Sequence, residues 1–214
     1  AVLGHGGKGK TTLCEAMLYI AGASDRLGRV ADGNTVLDFD SEEKRRKSSV
    51  SSAMAALEWD NTKLNIIDAP GLFDFEGGAA EAVRAAEAVL IVTSAGSGVD
   101  VGTEKAFRAA EKKGAAKFFA VTKTDSDHRN FYKTFDALKE VYGNKLCPTI
   151  IPYMEGNITK CYVNLMTGMA FSYDENGKAT KVPVPEDSVI EEMTSAFMEA
   201  VATTDDALME KFFE

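Results

Sequence analysis

Cysteine is scarce in this sequence of 214 residues. Only Cys14, Cys147 and Cys161 are present, and no two of them stand in C-x-x-C spacing. An odd number without that spacing supports neither a disulfide framework nor a cysteine-based zinc site. A reducing compartment is the simplest interpretation, and we expect a cytoplasmic location.

Long apolar runs are missing as well. No stretch approaches the roughly 20 apolar residues of a membrane-spanning helix, and no basic-then-apolar signal segment opens the chain. We therefore expect no membrane partner. The chain starts at Ala1 without an initiator methionine, so we expect its first strand to be cut short.

Positive charge is outnumbered by negative charge. The 24 lysines and arginines stand against 33 aspartates and glutamates, which gives a net charge of −9. A surface of that charge repels phosphate backbones, so the composition argues against diffuse nucleic-acid binding. With 45% hydrophobic and 27% charged residues, the chain has the composition of a globular protein.

Strand-like and helix-like segments alternate along the first two thirds of the chain, which predicts an α/β fold with a doubly wound, mostly parallel sheet. The predicted strands are residues 1–3, a hairpin of 53–59 and 63–68, 88–93 and 117–121. The predicted helices are residues 13–20, 79–87, 103–113 and 131–142. The polar stretch 22–49 is predicted to be one long, mobile loop.

The pattern changes after Cys147. Four short segments there read as antiparallel strands, at residues 149–154, 159–165, 169–173 and 179–183, and helices are predicted at 186–202 and 205–213. We therefore divide the chain into an α/β core, residues 1–146, and an inserted antiparallel β subdomain with terminal helices, residues 147–214.

A phosphate-binding motif lies between the first strand and the first helix. Gly4-x-x-x-x-Gly9-Lys10-Thr11 matches G-x-x-x-x-G-K-[ST], in which backbone N–H groups and the helix N-terminus surround phosphates. Lys10 would bridge the outer phosphates and stabilise developing charge, and the Thr11 hydroxyl would ligate Mg²⁺. The alternative is a glycine-rich turn with a surface lysine. The candidate nucleotide-binding residues here are His5, Gly6, Gly7, Lys8, Gly9, Lys10, Thr11 and Thr12.

Two further motifs follow predicted strands. Asp68-Ala69-Pro70-Gly71 suits an acid that reaches Mg²⁺ through water and a glycine whose N–H meets a γ-phosphate, although such a sequence alone is commonly a turn. Thr122-Lys123-Thr124-Asp125 follows the strand 117–121, where nucleotide-binding sheets present base-reading residues. The Asp125 carboxylate could accept hydrogen bonds from guanine N1 and the 2-amino group, which would select GTP over ATP. The alternative is a polar loop.

These residues together resemble translational GTPases. Gly4-His5, Asp68-Ala69-Pro70-Gly71 with Asp74-Phe75, the segment 98–104 (GVDVGTE), Lys123-x-Asp125 and Asn130-Phe131 are similar to elongation factor G and its bacterial elongation factor G-like paralogues. The resemblance covers nearly the whole chain and implies a P-loop GTPase fold with a small α+β insert. It also implies GTP and GDP as substrate and product, Mg²⁺ as cofactor, and the ribosome as partner of a monomeric protein.

The resemblance also assigns the loop 22–49 as a first switch segment. Arg46-Lys47-Ser48-Ser49-Val50 looks like the family's Arg-Gly-Ile-Thr-Ile stretch, which implies that Ser49 ligates Mg²⁺ in place of threonine. A solvated loop serine is the alternative. The basic run 44–47 would contact ribosomal RNA, unless it is only a solvated charge run.

Three departures limit this transfer. Leu72 replaces the histidine that positions the attacking water, so we assign no catalytic base, and Lys10 acts only as a charge stabiliser. Thr122 replaces asparagine, which is expected to weaken the bracing of the phosphate loop and the base contacts. The family's Ser-Ala-Leu element would follow residue 214, because Ser195-Ala196 reads as part of a packed helix.

The sequence therefore predicts the GTPase domain of an elongation factor G-like factor that hydrolyses GTP on the ribosome to drive translocation, with low intrinsic activity. One alternative is a translational GTPase of the ribosomal-protection or peptide-release type. The other is a GTP-dependent binding switch with little turnover.

Overall fold

The computed structural model describes residues 1–124, 130–143, 146–156, 158–174 and 177–213. The chain divides into two compact units, Ala1–Thr124 and Asp125–Glu214. Among the described residues, none of the helices combines the length and the apolar character needed to cross a membrane.

The first unit contains five strands and four α-helices in its described residues. The strands are β1 (Val2–Leu3), β2 (Ala53–Trp59), β3 (Thr62–Asp68), β4 (Ala88–Ser94) and β5 (Ala116–Thr122). The helices are α1 (Lys10–Ile20), α2 (Ser41–Arg46), α3 (Glu76–Ala85) and α4 (Val101–Lys113). Short 3₁₀ turns occupy Val30–Asp32 and Phe73–Phe75.

The sheet of the first unit has the order β2-β3-β1-β4-β5. β1 runs parallel to β3 and β4, β4 runs parallel to β5, and only β2 is antiparallel. The predicted doubly wound, mostly parallel sheet is therefore confirmed. Because parallel strands end at one edge, Leu3, Asp68, Ser94 and Thr122 finish at the same side of the sheet, where phosphate ligands bind in such folds.

Both faces of this sheet are covered. Leu3 and Ile91 pack with α3 and α4, whereas their neighbours Val2 and Val92 pack with α1. Adjacent residues of a strand point to opposite faces, so these pairs bury apolar side chains on each side. This is why the central strands read as continuous apolar runs.

The segment 22–49 is more ordered than the predicted mobile loop. It contains the 3₁₀ turn and helix α2, and several of its residues are buried, among them Leu37 and Glu43. α2 begins with a capping box in which the Asp40 carboxylate accepts the Glu42 N–H and the Glu43 carboxylate accepts the Asp40 N–H. The prediction missed this helix because six residues are too short to show an apolar period.

Three predicted helix starts in this unit were too late. α1 begins at Lys10 rather than at residue 13. α3 begins at Glu76 rather than at residue 79. α4 begins at Val101, because the Asp100 side chain accepts the Thr103 N–H and caps the helix two residues earlier than the apolar pattern indicates.

The second unit pairs helices with an antiparallel sheet. Its elements are α5 (Phe131–Tyr142), β6 (Ile150–Glu155), β7 (Ile158–Asn164), β8 (Met169–Tyr173), β9 (Ala179–Val182), α6 (Ser188–Ala202) and α7 (Asp206–Phe213). The strands pair in sequence order, each antiparallel to the next, as predicted. Ser195 and Ala196 lie inside α6, although the Ser195 side chain is exposed.

Helix α5 belongs to this second unit. Phe131 packs against the cluster of Ile151, Cys161 and Val163, and the Tyr132 hydroxyl donates to the carbonyl oxygen of Pro152 at 2.7 Å. The compact unit therefore starts before residue 147, where the sequence places the inserted subdomain. That functional boundary stays a prediction.

Candidate functional site

The loop between β1 and α1 forms the floor of the site. Gly7 and Gly9 have φ angles of 73° and 90°, which side-chain-bearing residues rarely adopt, and Gly9 directly precedes helix α1. Gly4, the first glycine of the motif, also has a positive φ of 139°, so the path of the backbone requires all three glycines. The arrangement of a turn followed by a helix N-terminus is the one that binds phosphate in other proteins.

Lys10 is a buried cation at the centre of this loop. Its side chain is 6% exposed, and its Nζ donates to the carbonyl oxygens of Gly4 and His5, both at 3.0 Å. Burial lowers the pKa of the ammonium, and the negative charge of Asp68 partly opposes that shift. The ammonium is held by neutral acceptors only, so its charge remains available to an anion.

Four oxygen-bearing side chains meet beside Lys10. The Thr11 hydroxyl donates to the Asp68 carboxylate at 2.6 Å and lies 3.2 Å from the Ser49 hydroxyl. Ser49 in turn donates to the Asp38 carboxylate at 2.7 Å. All four residues are buried. The three predicted Mg²⁺ ligands, Thr11, Ser49 and Asp68, therefore lie together although they come from three different segments.

Asp68 is the most enclosed acid of this group. It is 1% exposed, and its Oδ1 has no hydrogen-bond partner among the described residues. Burial raises the pKa of Asp68 to about 7, although the bond from Thr11 opposes the shift. An orphaned buried carboxylate oxygen next to two hydroxyls is the hard oxygen donor set that Mg²⁺ prefers. The residues therefore fit this cation.

Asp38 is a member of the cluster that the sequence analysis missed. It is 3% exposed, and burial raises its pKa, whereas the bond from Ser49 lowers it. It sits in the polar stretch Asp38-Phe39-Asp40, where no motif distinguishes one acid from the other. Only the folded path of the segment brings Asp38, and not Asp40, to Ser49.

Gly71 approaches the phosphate loop so closely that no side chain fits there. A Cβ on Gly71 would lie 2.1 Å from Lys10 Nζ and 2.8 Å from the backbone nitrogen of Gly6. The segment after β3 therefore presses its backbone directly against the loop. Glycine at this position is therefore required by space.

Thr122 and Lys123 brace the phosphate loop from the end of β5. The Thr122 hydroxyl donates to the carbonyl oxygen of Lys8 at 2.7 Å, and Lys123 Nζ donates to the carbonyl oxygen of Gly7 at 2.6 Å. Lys123 holds a left-handed backbone with φ 57°. Replacement of the usual asparagine by Thr122 thus preserves a side-chain bond to the loop. Asp125, the predicted guanine-reading acid, lies outside the described residues.

A cavity of about 220 Å³ opens over these groups. Its lining includes nine of the predicted site residues, namely Gly6, Gly7, Gly9, Lys10, Thr11, Thr12, Ser49, Gly71 and Lys123. Val30, Asp38, Lys47 and Ser48 complete it.

His5, Lys8, Asp68 and Thr122 do not line this cavity. The His5 ring packs edge-on against Phe73, with ring centres 5.5 Å apart. The Lys8 ammonium forms an ion pair of 3.2 Å with Asp100. Both side chains thus contact residues outside the phosphate loop.

Two buried carboxylates hold the segment that carries Asp38 and Ser49. Glu15, on α1, is fully buried and accepts the N–H groups of Val36 and Leu37 at 2.8 and 3.0 Å. Glu43 accepts the N–H groups of Val50 and Ser51 at 2.9 and 3.1 Å. The sequence analysis identified neither, because a glutamate in a helix usually faces solvent.

Leu72 lies directly beside the phosphate loop. Its Cδ2 is 3.0 Å from the position that a Cβ on Gly6 would take, and its side chain is 39% exposed. A leucine has no atom that can accept a proton or polarise water. The geometry thus places an apolar group directly against the phosphate loop.

Comparison with known families gives one match over nearly the entire chain. The family described as the elongation factor Tu GTP-binding domain matches residues 1–210.

Curated relatives of similar sequence are much longer proteins. The chain is 33% identical to an elongation factor G-like protein of Mycobacterium tuberculosis, over 99% of this chain and 29% of that protein. It is 30% identical to elongation factor G of Mycoplasma genitalium, over 100% of this chain and 32% of that protein. The chain thus spans about a third of the length of these relatives.

Solved structures of similar fold also belong to proteins much longer than this chain. A crystal structure of a Thermus thermophilus protein superposes with a TM-score of 0.92 at 35% identity, over 99% of this chain and 32% of that one. A bacterial selenocysteine-specific elongation factor superposes with a TM-score of 0.51 at 26% identity, over 65% of this chain and 22% of that one.

Proposed function

The chain belongs to the family of elongation factor Tu GTP-binding domains, and from that premise we propose that it binds GTP with Mg²⁺ and hydrolyses it to GDP on the ribosome. We further propose that it does so as the GTPase domain of an elongation factor G-like factor that drives translocation. The protein would act as a monomer in the cytoplasm.

The observation that carries this proposal is the convergence of Thr11, Ser49 and Asp68 beside Lys10. The hydroxyl of Thr11 joins the other two side chains, at 2.6 Å to Asp68 and 3.2 Å to Ser49. These contacts link the phosphate loop, the segment after α2 and the end of β3. Through these contacts, a change in the bound phosphate would alter the conformation of two chain segments at once.

Different residues of the site would bind the phosphates, the Mg²⁺ ion and the guanine base. The N–H groups of the loop and the Lys10 ammonium would bind the β- and γ-phosphates, and Gly71 would offer its N–H to the γ-phosphate. Thr11 and Ser49 would ligate Mg²⁺ directly, and Asp68 would reach it through water. Mg²⁺ held there would neutralise charge on the outer phosphates. Thr122, Lys123 and Asp125 would hold the loop and the guanine base.

Hydrolysis would rest on charge stabilisation by Lys10 rather than on a base from this chain. Leu72 cannot position water, so we propose a low intrinsic rate that ribosome binding raises. The full-length protein would contact ribosomal RNA and proteins. The basic run at residues 44–47 would contribute to that contact despite the net charge of −9.

Leu72 also favours a second candidate function, a GTP-dependent binding switch that turns over little. In that case the segments of Ser49 and Gly71 would change conformation with nucleotide, and hydrolysis would be incidental. A ribosomal-protection or peptide-release factor would use the same site for another ribosomal step.

Single-turnover GTP hydrolysis by the complete protein, measured with and without ribosomes, separates these functions. Strong stimulation by ribosomes is the expected result, and a rate that ribosomes leave unchanged would refute the translational role and leave the switch. Isothermal calorimetry with GDP and ADP tests the nucleotide. GDP is expected to bind far more tightly, and equal affinities would contradict the role of Asp125.

A further inference from the structure

Lys47 ends helix α2 in a conformation that lysine seldom adopts. Its backbone is left-handed, with φ 55° and ψ 39°, and its N–H donates to the carbonyl oxygen of Glu43. Glycine stands at this position in the Arg-Gly-Ile-Thr-Ile stretch that residues 46–50 resemble. Glycine would adopt this backbone without the steric cost that a lysine side chain imposes.

Lys47 is an exposed residue that lines the nucleotide cavity. Ser48, Ser49 and the phosphate loop line the same 220 Å³ space. The Lys47 ammonium lies 3.3 Å from the position that a Cβ on Gly33 would take, so it extends across the turn that ends the 3₁₀ segment. Two residues later, Ser49 contacts Thr11. The segment that carries Lys47 therefore reaches Thr11 through Ser49, and Lys47 and Thr11 line the same cavity.

The ammonium of Lys47 differs from neighbouring cations in its partners. Lys10 and Lys123 donate to loop carbonyl oxygens, Lys8 pairs with Asp100, and Arg46 pairs with Glu42. Lys47 Nζ forms no hydrogen bond or ion pair with any residue in the part of the chain that the structure describes. The ammonium of Lys47 therefore has no acidic partner among the described residues, and it belongs to a residue that lines a cavity suited to a polyanion.

We propose that Lys47 binds the terminal phosphate of a bound nucleoside triphosphate, and so supplies from the first switch segment a cation that favours the triphosphate over the diphosphate. This inference rests on the proposed GTP-binding function and adds a residue to that site. The Thr11 end of the cavity is the end that holds the outer phosphates, because the Thr11 hydroxyl is the expected Mg²⁺ ligand between them. A cation there also stabilises charge that develops on the transferred phosphoryl group.

The test compares the affinities of the complete protein for Mg²⁺ with a non-hydrolysable GTP analogue and for GDP, by isothermal calorimetry. In Lys47→Gln the ratio of these affinities is expected to fall about tenfold, the effect of one charge-assisted hydrogen bond. Lys47→Arg should keep the ratio. Lys63→Gln is the control, because Lys63 is an exposed lysine on β3 that does not line the cavity.

Lys47→Gly separates charge from backbone geometry. The substitution removes the ammonium, but glycine suits the left-handed conformation, so the variant should fold at least as well as the wild type. Like Lys47→Gln, it should lose the preference for the triphosphate over the diphosphate. An unchanged ratio in Lys47→Gln, or a retained ratio in Lys47→Gly, would overturn the inference. A wild-type protein that binds neither nucleotide would instead refute the proposed function itself.

Discussion

The hydroxyl of Thr122, at the end of β5, donates a hydrogen bond of 2.7 Å to the carbonyl oxygen of Lys8 in the phosphate loop. The same hydroxyl oxygen lies 3.1 Å from the carbonyl oxygen of Thr93 on the neighbouring strand. Thr122 thus ties the loop to two adjacent strands at the edge where the site forms. This bond depends on a hydroxyl group and on no other property of the side chain.

Thr122→Val tests that bond, because valine has nearly the same shape without the hydroxyl. We expect GDP affinity to fall about fivefold, which corresponds to the roughly 1 kcal/mol of a typical hydrogen bond. Calorimetry measures it, and Thr122→Ser, which keeps the hydroxyl, is the control that should stay near wild type. Equal affinities for the valine and serine variants would show that the loop does not need this brace.

The position of Thr122 could be predicted from the sequence, because a parallel sheet brings the ends of its strands to one edge. The phosphate loop and Asp68 could be predicted for the same reason, since the loop follows β1 and Asp68 is the last residue of β3. Local glycine and lysine chemistry then identified the loop without any knowledge of distant contacts.

The contacts of Glu15 and Asp38 could not be predicted in this way. Both depend on how the polar segment 22–49 folds back on α1, and that path has no periodic pattern in the sequence. Helix α2 was a different kind of omission. The spacing of Asp40 and Glu43 is a capping-box signal that was present, but it lay in a stretch whose polarity indicated a loop.

Gly71 should not tolerate even a methyl group. In Gly71→Ala the added Cβ would lie 2.1 Å from Lys10 Nζ and 2.9 Å from the carbonyl oxygen of Gly4, so the loop and the segment after β3 must separate. We expect a loss of GTP affinity of more than tenfold, consistent with the roughly 1–3 kcal/mol that overpacking costs. Calorimetry with Mg²⁺ and a non-hydrolysable analogue measures it.

Gly77→Ala is the matched control for this variant. Gly77 lies in helix α3, and a Cβ there meets no atom within 4 Å. Alanine should therefore bind nucleotide like the wild type and stabilise the fold by about 0.5–1 kcal/mol, as glycine replacement in a helix does. If Gly71→Ala binds as well as Gly77→Ala, the tight contact at Gly71 is not required for binding.

Glu15 should be needed to hold the segment that carries Asp38. In Glu15→Ala, the N–H groups of Val36 and Leu37 lose their acceptor in a buried environment, so we expect at least about 2 kcal/mol of destabilisation. We also expect faster proteolytic cleavage within residues 22–49. Urea unfolding and limited proteolysis measure these two effects.

Two variants control for the charge of Glu15. Glu15→Gln keeps an acceptor oxygen and should be much milder than Glu15→Ala, whereas Glu42→Gln, at a half-exposed surface ion pair, should change stability little. An alanine variant as stable and as resistant to protease as the wild type would disprove the role of Glu15 as an anchor.

The three cysteines should differ in reactivity. Cys14 and Cys161 are 0% and 4% exposed, and burial raises the pKa of both thiols, whereas Cys147 is half-buried. We expect an aromatic disulfide reagent to modify Cys147 first in the native protein, and all three in urea. Mass spectrometric mapping identifies the sites. Rapid native modification of Cys14 would contradict the packing of α1 against the sheet.

Leu72 is the position at which activity should increase. Its side chain lies beside Gly6, so Leu72→His would place an imidazole next to the phosphate loop. A positioned acid–base group contributes a factor of about 10² or more in favourable cases, so we expect single-turnover hydrolysis to rise about tenfold or more while GDP affinity stays constant. Leu72→Asn is the control, because it is polar but cannot act as a base near neutral pH. If histidine and asparagine give the same rate as leucine, the chemistry is limited by a group outside this position, and the ribosome or another segment must position the water.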